Sequence, residues 1–317
     1  MTVPADQGAK PGLGQRLNRR VNLRARSFVI GVPFWWLIIF FLLPFAVVLK
    51  ISFSEAIIAR PPYSSLVQWT GDGVLQIKLH FSNYAYLLED RLYISAYWSS
   101  IKIAFFSTLI SLLIAYPMAY YMARSPLRRR NILLLLVVLP FWTSFLLRVY
   151  AWIGILKTNG VLNHILLSTG IISEPIIMMQ TAFSVYVGIV YTYLPFMILP
   201  LFSTLVKLDG SLLEASCDLG AGPTSSFFRI TLPLSMNGII AGSMLVFIPV
   251  IGEFVVPALL GGPDTLMIGR VLWDEFFRNR DWPVASAVAV VMLVLLLIPI
   301  MLLRNAQSAS AAAGAKT

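Results

Sequence analysis

The sequence predicts an all-α membrane protein with six transmembrane helices and both termini in the cytoplasm. Three observations carry that expectation. First, apolar residues make up 58% of the 317-residue chain and charged residues 12%. Soluble domains average roughly 25% charged residues, so this chain cannot coat a water-soluble globule, and a soluble enzyme is excluded. Second, six apolar stretches reach the ~20 residues that an α-helix needs to cross a hydrocarbon core of about 30 Å. Third, the 24 Lys and Arg residues are unevenly placed along the chain.

The first stretch, Phe28–Leu49, follows a basic tail (residues 1–27) carrying Lys10, Arg16, Arg19, Arg20, Arg24 and Arg26. Its apolar run is too long for a cleaved signal peptide and fits a signal anchor. The tail lacks interleaved aromatic residues, which favours contact with anionic lipid over nucleic acid. The longest outer segment, Ile51–Ser100, holds turn sequences at Arg60-Pro-Pro-Tyr and Thr70-Gly-Asp-Gly, and Phe81–Leu92 fits a short surface helix. The second span, Ile103–Ala123, leads into the basic loop Arg124-Ser-Pro-Leu-Arg-Arg-Arg130, and Ile132–Leu156 is the third. Phe183–Val206, Leu232–Gly252 and Val284–Leu303 complete the set, and 304–317 reads as a disordered tail. Six spans place 14 Lys and Arg on the side of both termini and 7 on the other, which makes the first side cytoplasmic. Pro33, Pro44, Pro117, Pro140, Pro195, Pro200, Pro249 and Pro299 fall inside the spans and predict kinked helices. The apolar runs are continuous rather than alternating, which argues against a barrel.

Catalytic and metal motifs are missing from the sequence. Cys217 is the single cysteine, and His80 and His164 stand far apart, so no metal-ligand spacing exists. There is no Gly-x4-Gly-Lys-Ser/Thr phosphate loop, no His-Glu-x-x-His and no Gly-x-Ser-x-Gly. The two halves show no paired internal repeat of the kind secondary transporters use.

The segment 209–233 has more character than a plain loop. Ser211 and Glu214 have capping-box spacing, Gly220 can end a helix in a left-handed turn, and Gly222-Pro223 can start another. Leu212, Leu213, Leu219, Phe227 and Phe228 give it an apolar surface, for packing under the bundle or onto a partner. Glu214-Ala215-Ser216, then Gly220, then Ile230-Thr-Leu232-Pro233 resembles the EAA signature of permease subunits in binding-protein-dependent ABC importers. Ser216 departs from that pattern, which has alanine there. Within that family the chain is similar to polyamine permeases, those for putrescine above all. The residues that carry this likeness are Arg148-Val-Tyr-Ala-Trp-Ile-Gly, Gly252-Glu-Phe-Val-Val-Pro, Met267-Ile-Gly-Arg270 and Asp281-Trp-Pro-Val-Ala-Ser286.

The resemblance implies a type I importer permease fold in the inner membrane. It also implies a second homologous permease subunit, two ATPase subunits and an external polyamine-binding protein. ATP and Mg would be used by the ATPase, with no cofactor bound by this chain. Glu214, Ala215, Asp218, Gly220, Ile230, Leu232 and Pro233 would form the element that docks on the ATPase. A polyamine path calls for carboxylates and aromatic faces, which offset the loss of water around an ammonium group. Glu253, abutting the fifth span, is either such a path carboxylate or the ion-pair partner of Arg148, the one charge inside the spans. Trp142, Tyr150, Tyr191 and Tyr193 are either path-lining aromatics or packing residues. Asp264, Asp274, Glu275 and Asp281 form an acidic outer loop that either meets the binding protein or is a solvated face.

Overall fold

The computed structural model describes residues 29–69 and 75–314. The basic tail and the Thr70-Gly-Asp-Gly turn lie outside the described residues. The chain is helical nearly throughout. Helix α1 (Val29–Ser52) contains a π-helical stretch, Ile38–Leu42, that ends two residues before Pro44. Proline lacks an N–H and crowds the preceding turn, and the wider stretch absorbs that misfit. A small hairpin, β1 (Val67–Trp69) against β2 (Leu75–Ile77), follows, then α2 (Ser82–Glu89) where a surface helix was expected. Asp90 accepts a hydrogen bond from Leu92 N–H and opens α3 (Arg91–Arg124).

Next come α4 (Leu127–Val138), α5 (Phe145–Leu156), α6 (Val161–Ser168) and α7 (Ala182–Leu205). Beyond the 209–233 segment lie α10 (Met236–Ile251), a broken outer segment, and the terminal helix α13 (Trp282–Gly314). In that segment α8 is Gly210–Asp218 and α9 is Pro223–Leu234; in the outer one α11 is Val255–Leu259 and α12 Ile268–Trp273. Helix α13 runs past residue 303, through an alanine-rich sequence of high helix propensity.

The expectation of six transmembrane helices is corrected. Among the described residues four helices are long and apolar enough to cross a membrane: Val29–Ser52, Arg91–Arg124, Phe145–Ser168 and Ala182–Leu205. A fifth is reached if Pro223–Leu234 and Met236–Ile251, bent by 63° at Ser235, are taken together. The expected third span, Ile132–Leu156, is interrupted at Pro140 by a tight turn over Leu139–Trp142 and by extended backbone at Thr143. In place of the expected sixth span, the described apolar stretch Trp282–Ile298 is a shorter helix. Placing both termini in the cytoplasm rested on an even count of six and falls with it.

Helices α3, α7 and α10 form the core. Val185, Ile189, Met197 and Leu201 of α7 interlock with Ala104, Ala115 and Ala119 of α3 and with Val246 and Val250 of α10, all buried. In lipid there is little hydrophobic gain from hiding these groups, so close packing supplies the stability. Gly238 and Gly242 make the α7–α10 contact possible. A Cβ on Gly238 would stand 2.6 Å from Thr204 Oγ1, and one on Gly242 2.8 Å from Met197 Sδ. Helix α1 packs on α13 and leaves Trp35, Trp36, Phe40 and Phe41 exposed, a surface suited to acyl chains rather than water.

Candidate functional sites at the two ends of the bundle

The 209–233 segment joins the end of α7 to the start of α10 and caps one end of the bundle. Its first helix is not opened by the expected Ser211–Glu214 box. Asp209 Oδ1 instead accepts from Ser211 N–H at 3.0 Å. That bond holds the exposed Asp209 carboxyl below the usual carboxylate range. A depressed carboxyl stabilises the fold at neutral pH and loses its effect as pH falls through the lowered value. Asp209 stands right before Gly210 and caps two residues earlier than Ser211 would.

Helix α8 ends as the glycine predicts. Gly220 has φ +79°, Gly220 N–H donates to Cys217 O, and Ala221 N–H to Ser216 O, both at 2.9 Å. This pair of bonds satisfies the last carbonyls only because the C′ residue is left-handed. Gly222 then precedes Pro223 at the first helical position of α9.

The two short helices are joined by their serines. Ser216 Oγ and Ser226 Oγ share a buried hydrogen bond of 2.7 Å. The departure from the family pattern at Ser216 therefore supplies a contact that alanine could not make. Ser216→Ala is expected to cost about 1 kcal/mol, read as faster amide hydrogen exchange across 210–226 with the complex otherwise intact.

Phe227 anchors the segment by edge contacts with Tyr116 and Tyr120 of α3, and Tyr116 OH meets Ser235 Oγ at 2.9 Å at the bend. Ile230 and Leu232 are half-buried against the bundle. On the other face Glu214, Ala215, Asp218, Gly220 and Pro233 are exposed, together with Leu212, Leu219 and Phe228. One side of the segment thus packs under its own bundle, and the other presents acids and apolar side chains outward.

At the opposite end, between α10 and α13, the chain folds back as α11, then α12 with a π-helical continuation, Asp274–Asn279. Glu253 sits at its entrance, 7% exposed. Tyr193 OH donates to Glu253 Oε2 at 2.6 Å; Val255 N–H and Val256 N–H donate to Oε1 at 3.0 and 3.4 Å. The carboxylate therefore caps α11 and ties it to α7. Arg148 does not pair with it. The guanidinium lies over Phe141 and Phe145, 5.6 and 5.9 Å from their ring centres, and its buried Nε and Nη1 have no hydrogen-bond partner among the described residues.

Beside this carboxylate lies an open cavity of about 490 Å³, whose walls include Phe145, Tyr150, Phe254, Trp273, Asp274 and Arg270. Phe254 and Trp273 stack with ring centres 4.5 Å apart. The structure thus bonds Tyr193 to Glu253 and places Tyr150 on the cavity wall with Phe254, the residue after Glu253. Trp142 does not line this cavity: it is 75% exposed at the Pro140 break. Tyr191 packs edge-on against Trp152 and borders a separate apolar hollow with Pro195.

The outer-loop acids are largely engaged by their own chain. Asp274 pairs with Arg278 at 3.3 Å, Glu275 accepts from Tyr93 OH, and Asp281 accepts from Val284 N–H. Trp273 and Phe254 were not singled out from the sequence. Phe254 follows Glu253 directly, but its stack on Trp273 needs a fold-back that no local signal announces. Among the described residues no group of His, Cys, Asp or Glu could hold a metal ion.

Residues 111–310 match the family described as binding-protein-dependent transport system inner membrane component. The chain belongs to that family. It is a multi-pass inner-membrane component of a transport system and not an enzyme. Among relatives of this permease, the spermidine/putrescine transport system permease protein PotB of Haemophilus influenzae is 41% identical over 85% of this chain and 90% of the relative. PotB of Escherichia coli is 40% identical over 80% and 88%. The nearer likeness expected to the putrescine permease PotH is corrected, since these relatives are PotB proteins. A bacterial alginate ABC transporter crystallised with its periplasmic protein superposes with a TM-score of 0.68, covering 92% of this chain and 95% of that one. At 16% identity it shares the fold alone.

Proposed function

We propose that this chain is the permease subunit of an ATP-driven importer of polyamines, putrescine and spermidine among them. The observation that carries the reading is the identity of about two residues in five with PotB proteins over most of both chains. The chain would work with a second, homologous permease, two ATPase subunits and an external polyamine-binding protein, and would itself bind neither ATP nor Mg.

The exposed face of α8 and α9 would dock on the ATPase. Glu214 and Asp218, one helical turn apart, meet basic residues there, while Leu212, Leu219 and Phe228 fill an apolar groove. Gly220, Ile230, Leu232 and Pro233 hold the shape that presents them. At the other end the cation passes the cavity walled by Tyr150 and the Phe254–Trp273 stack, whose ring faces attract an ammonium group. Glu253, behind that wall and bonded to Tyr193, adds negative potential along the route.

Proteoliposomes holding the complete complex test this. With ATP inside and substrate-loaded binding protein outside, labelled putrescine and spermidine should accumulate. Uptake that survives without ATP but collapses with the proton gradient would overturn the reading. A further expectation concerns the cavity: Trp273→Ala should lower polyamine uptake about three- to tenfold, the worth of one cation–π contact, without changing complex yield.

A further inference from the structure

A second cleft, of about 620 Å³, opens at the same end of the bundle as the aromatic cavity. One wall is the Ala59–Pro62 turn, which extends beyond the end of α1; the other holds Phe276, Phe277, Arg280 and Trp282. The rings are fixed against one another: Phe276 stacks on Trp282 with ring centres 5.0 Å apart, and Tyr63 meets Trp282 at 6.1 Å.

Two guanidinium groups, Arg60 and Arg280, enter the cleft, and no acid lines it. Both arginines are exposed, and among the described residues neither side chain makes a hydrogen bond or an ion pair. The acids nearest in sequence face other groups: Glu55 the His80 ring at 4.0 Å, Glu275 the Tyr93 hydroxyl and the Asn279 amide, and Asp281 the first turn of α13. Arg280 also takes a left-handed backbone, φ +56° and ψ 27°, which non-glycine residues seldom adopt. That conformation ends the π-helical stretch and sets Arg280 at the rim. Strained positions of this kind cluster where a residue is held for a purpose.

We infer that this cleft seats a carboxylate-bearing segment of the external binding protein, with Arg60 and Arg280 gripping Asp or Glu side chains between aromatic walls. The inference rests on the importer reading above, and it adds the docking residues. Three considerations select the occupant. A polyamine is cationic and is repelled by two unpaired guanidinium groups. The planar fork of arginine matches a carboxylate in two parallel hydrogen bonds, and aromatic residues with arginine are the types enriched at protein interfaces. The cleft also lies at the end of the bundle opposite the 209–233 segment, where the external protein would approach if that segment meets the ATPase. The site keeps docking separate from transport, because the groups that hold the binding protein do not compete for the cation it releases.

The test uses the whole complex in nanodiscs and the purified binding protein that stimulates the wild-type ATPase. The double variant R60E/R280E should weaken binding-protein affinity about tenfold or more, while complex yield and ATPase activity without binding protein stay unchanged. R60Q/R280Q should show a smaller loss, and it carries the test if the reversed pair does not assemble. Wild-type affinity should fall with added salt more steeply than that of either variant. Unchanged affinity in both variants overturns the inference. So does unchanged affinity with loss of co-purifying anionic lipid, which would assign the cleft to a phosphate headgroup. If the variants weaken docking but the complex carries no polyamine, the docking site stands and the substrate reading fails. A wild-type complex that no external protein stimulates overturns both.

Discussion

Glu253→Ala is expected to destabilise the permease by roughly 2–5 kcal/mol. The substitution leaves the Tyr193 hydroxyl and the N–H groups of Val255 and Val256 without their acceptor. A buried polar group left unpaired costs about 1–3 kcal/mol. The loss should appear as a lower yield of assembled complex and a lower unfolding temperature. Glu253→Gln separates fold from transport. Its amide oxygen still accepts from Val255 N–H, and its NH2 can donate to the Tyr193 oxygen, so stability should largely return. If the negative charge assists the cation, polyamine uptake by the Gln variant should fall about tenfold while complex yield and binding-protein affinity hold. Full uptake by a stable Gln variant would limit Glu253 to capping α11. Arg148 offers an internal control. Because the two groups are not paired, the effects of Arg148→Gln and Glu253→Gln should add to within about 0.5 kcal/mol. Strong mutual rescue in the double variant would contradict the geometry described.

The second large effect is expected at Gly220. Nothing lies within 4 Å of the position a Cβ would take, so space is not the constraint there. The constraint is the backbone at φ +79°. A side chain in that region costs on the order of 1 kcal/mol, more when it is β-branched and less for Asn, which tolerates left-handed geometry. Substitutions should therefore rank Asn, Ala, Val in order of increasing damage. Val should either lose the ATPase from the complex or leave ATP hydrolysis running without uptake. Equal uptake by all three variants would show that the turn between α8 and α9 does not take part in coupling.

The same contrast explains what the sequence could disclose. The turn at Gly220 and the proline start of α9 are set by single residues acting on their own backbone, and both were legible. The cap was missed by two residues because Asp209 and Ser211 are both good acceptors, and the winner depends on where α8 begins. Glu253 could be picked out as an acid at a span edge. Its partner Tyr193 lies on another helix, and only the packing of α7 against the fold-back α11 makes them meet. Hydropathy misjudged the spans for a related reason. It averages side chains and does not register that Pro140 and Ser235 break the backbone inside apolar stretches. The Phe254–Trp273 stack was invisible for the same cause, since it belongs to a fold-back whose course no local residue dictates.

The two glycines on α10 carry a mechanical consequence. Helices α7 and α10 flank the 209–233 segment, and Gly238 and Gly242 seat α10 so close to Thr204 and Met197 that no methyl group fits between them. Sliding or rolling either helix over the other would drive side chains into backbone. The pair is therefore expected to move as one stiff lever. A push delivered at one end of that lever reaches the Glu253 corner at the far end as a tilt, with the stroke set by the length of two helices rather than by the softness of a single one.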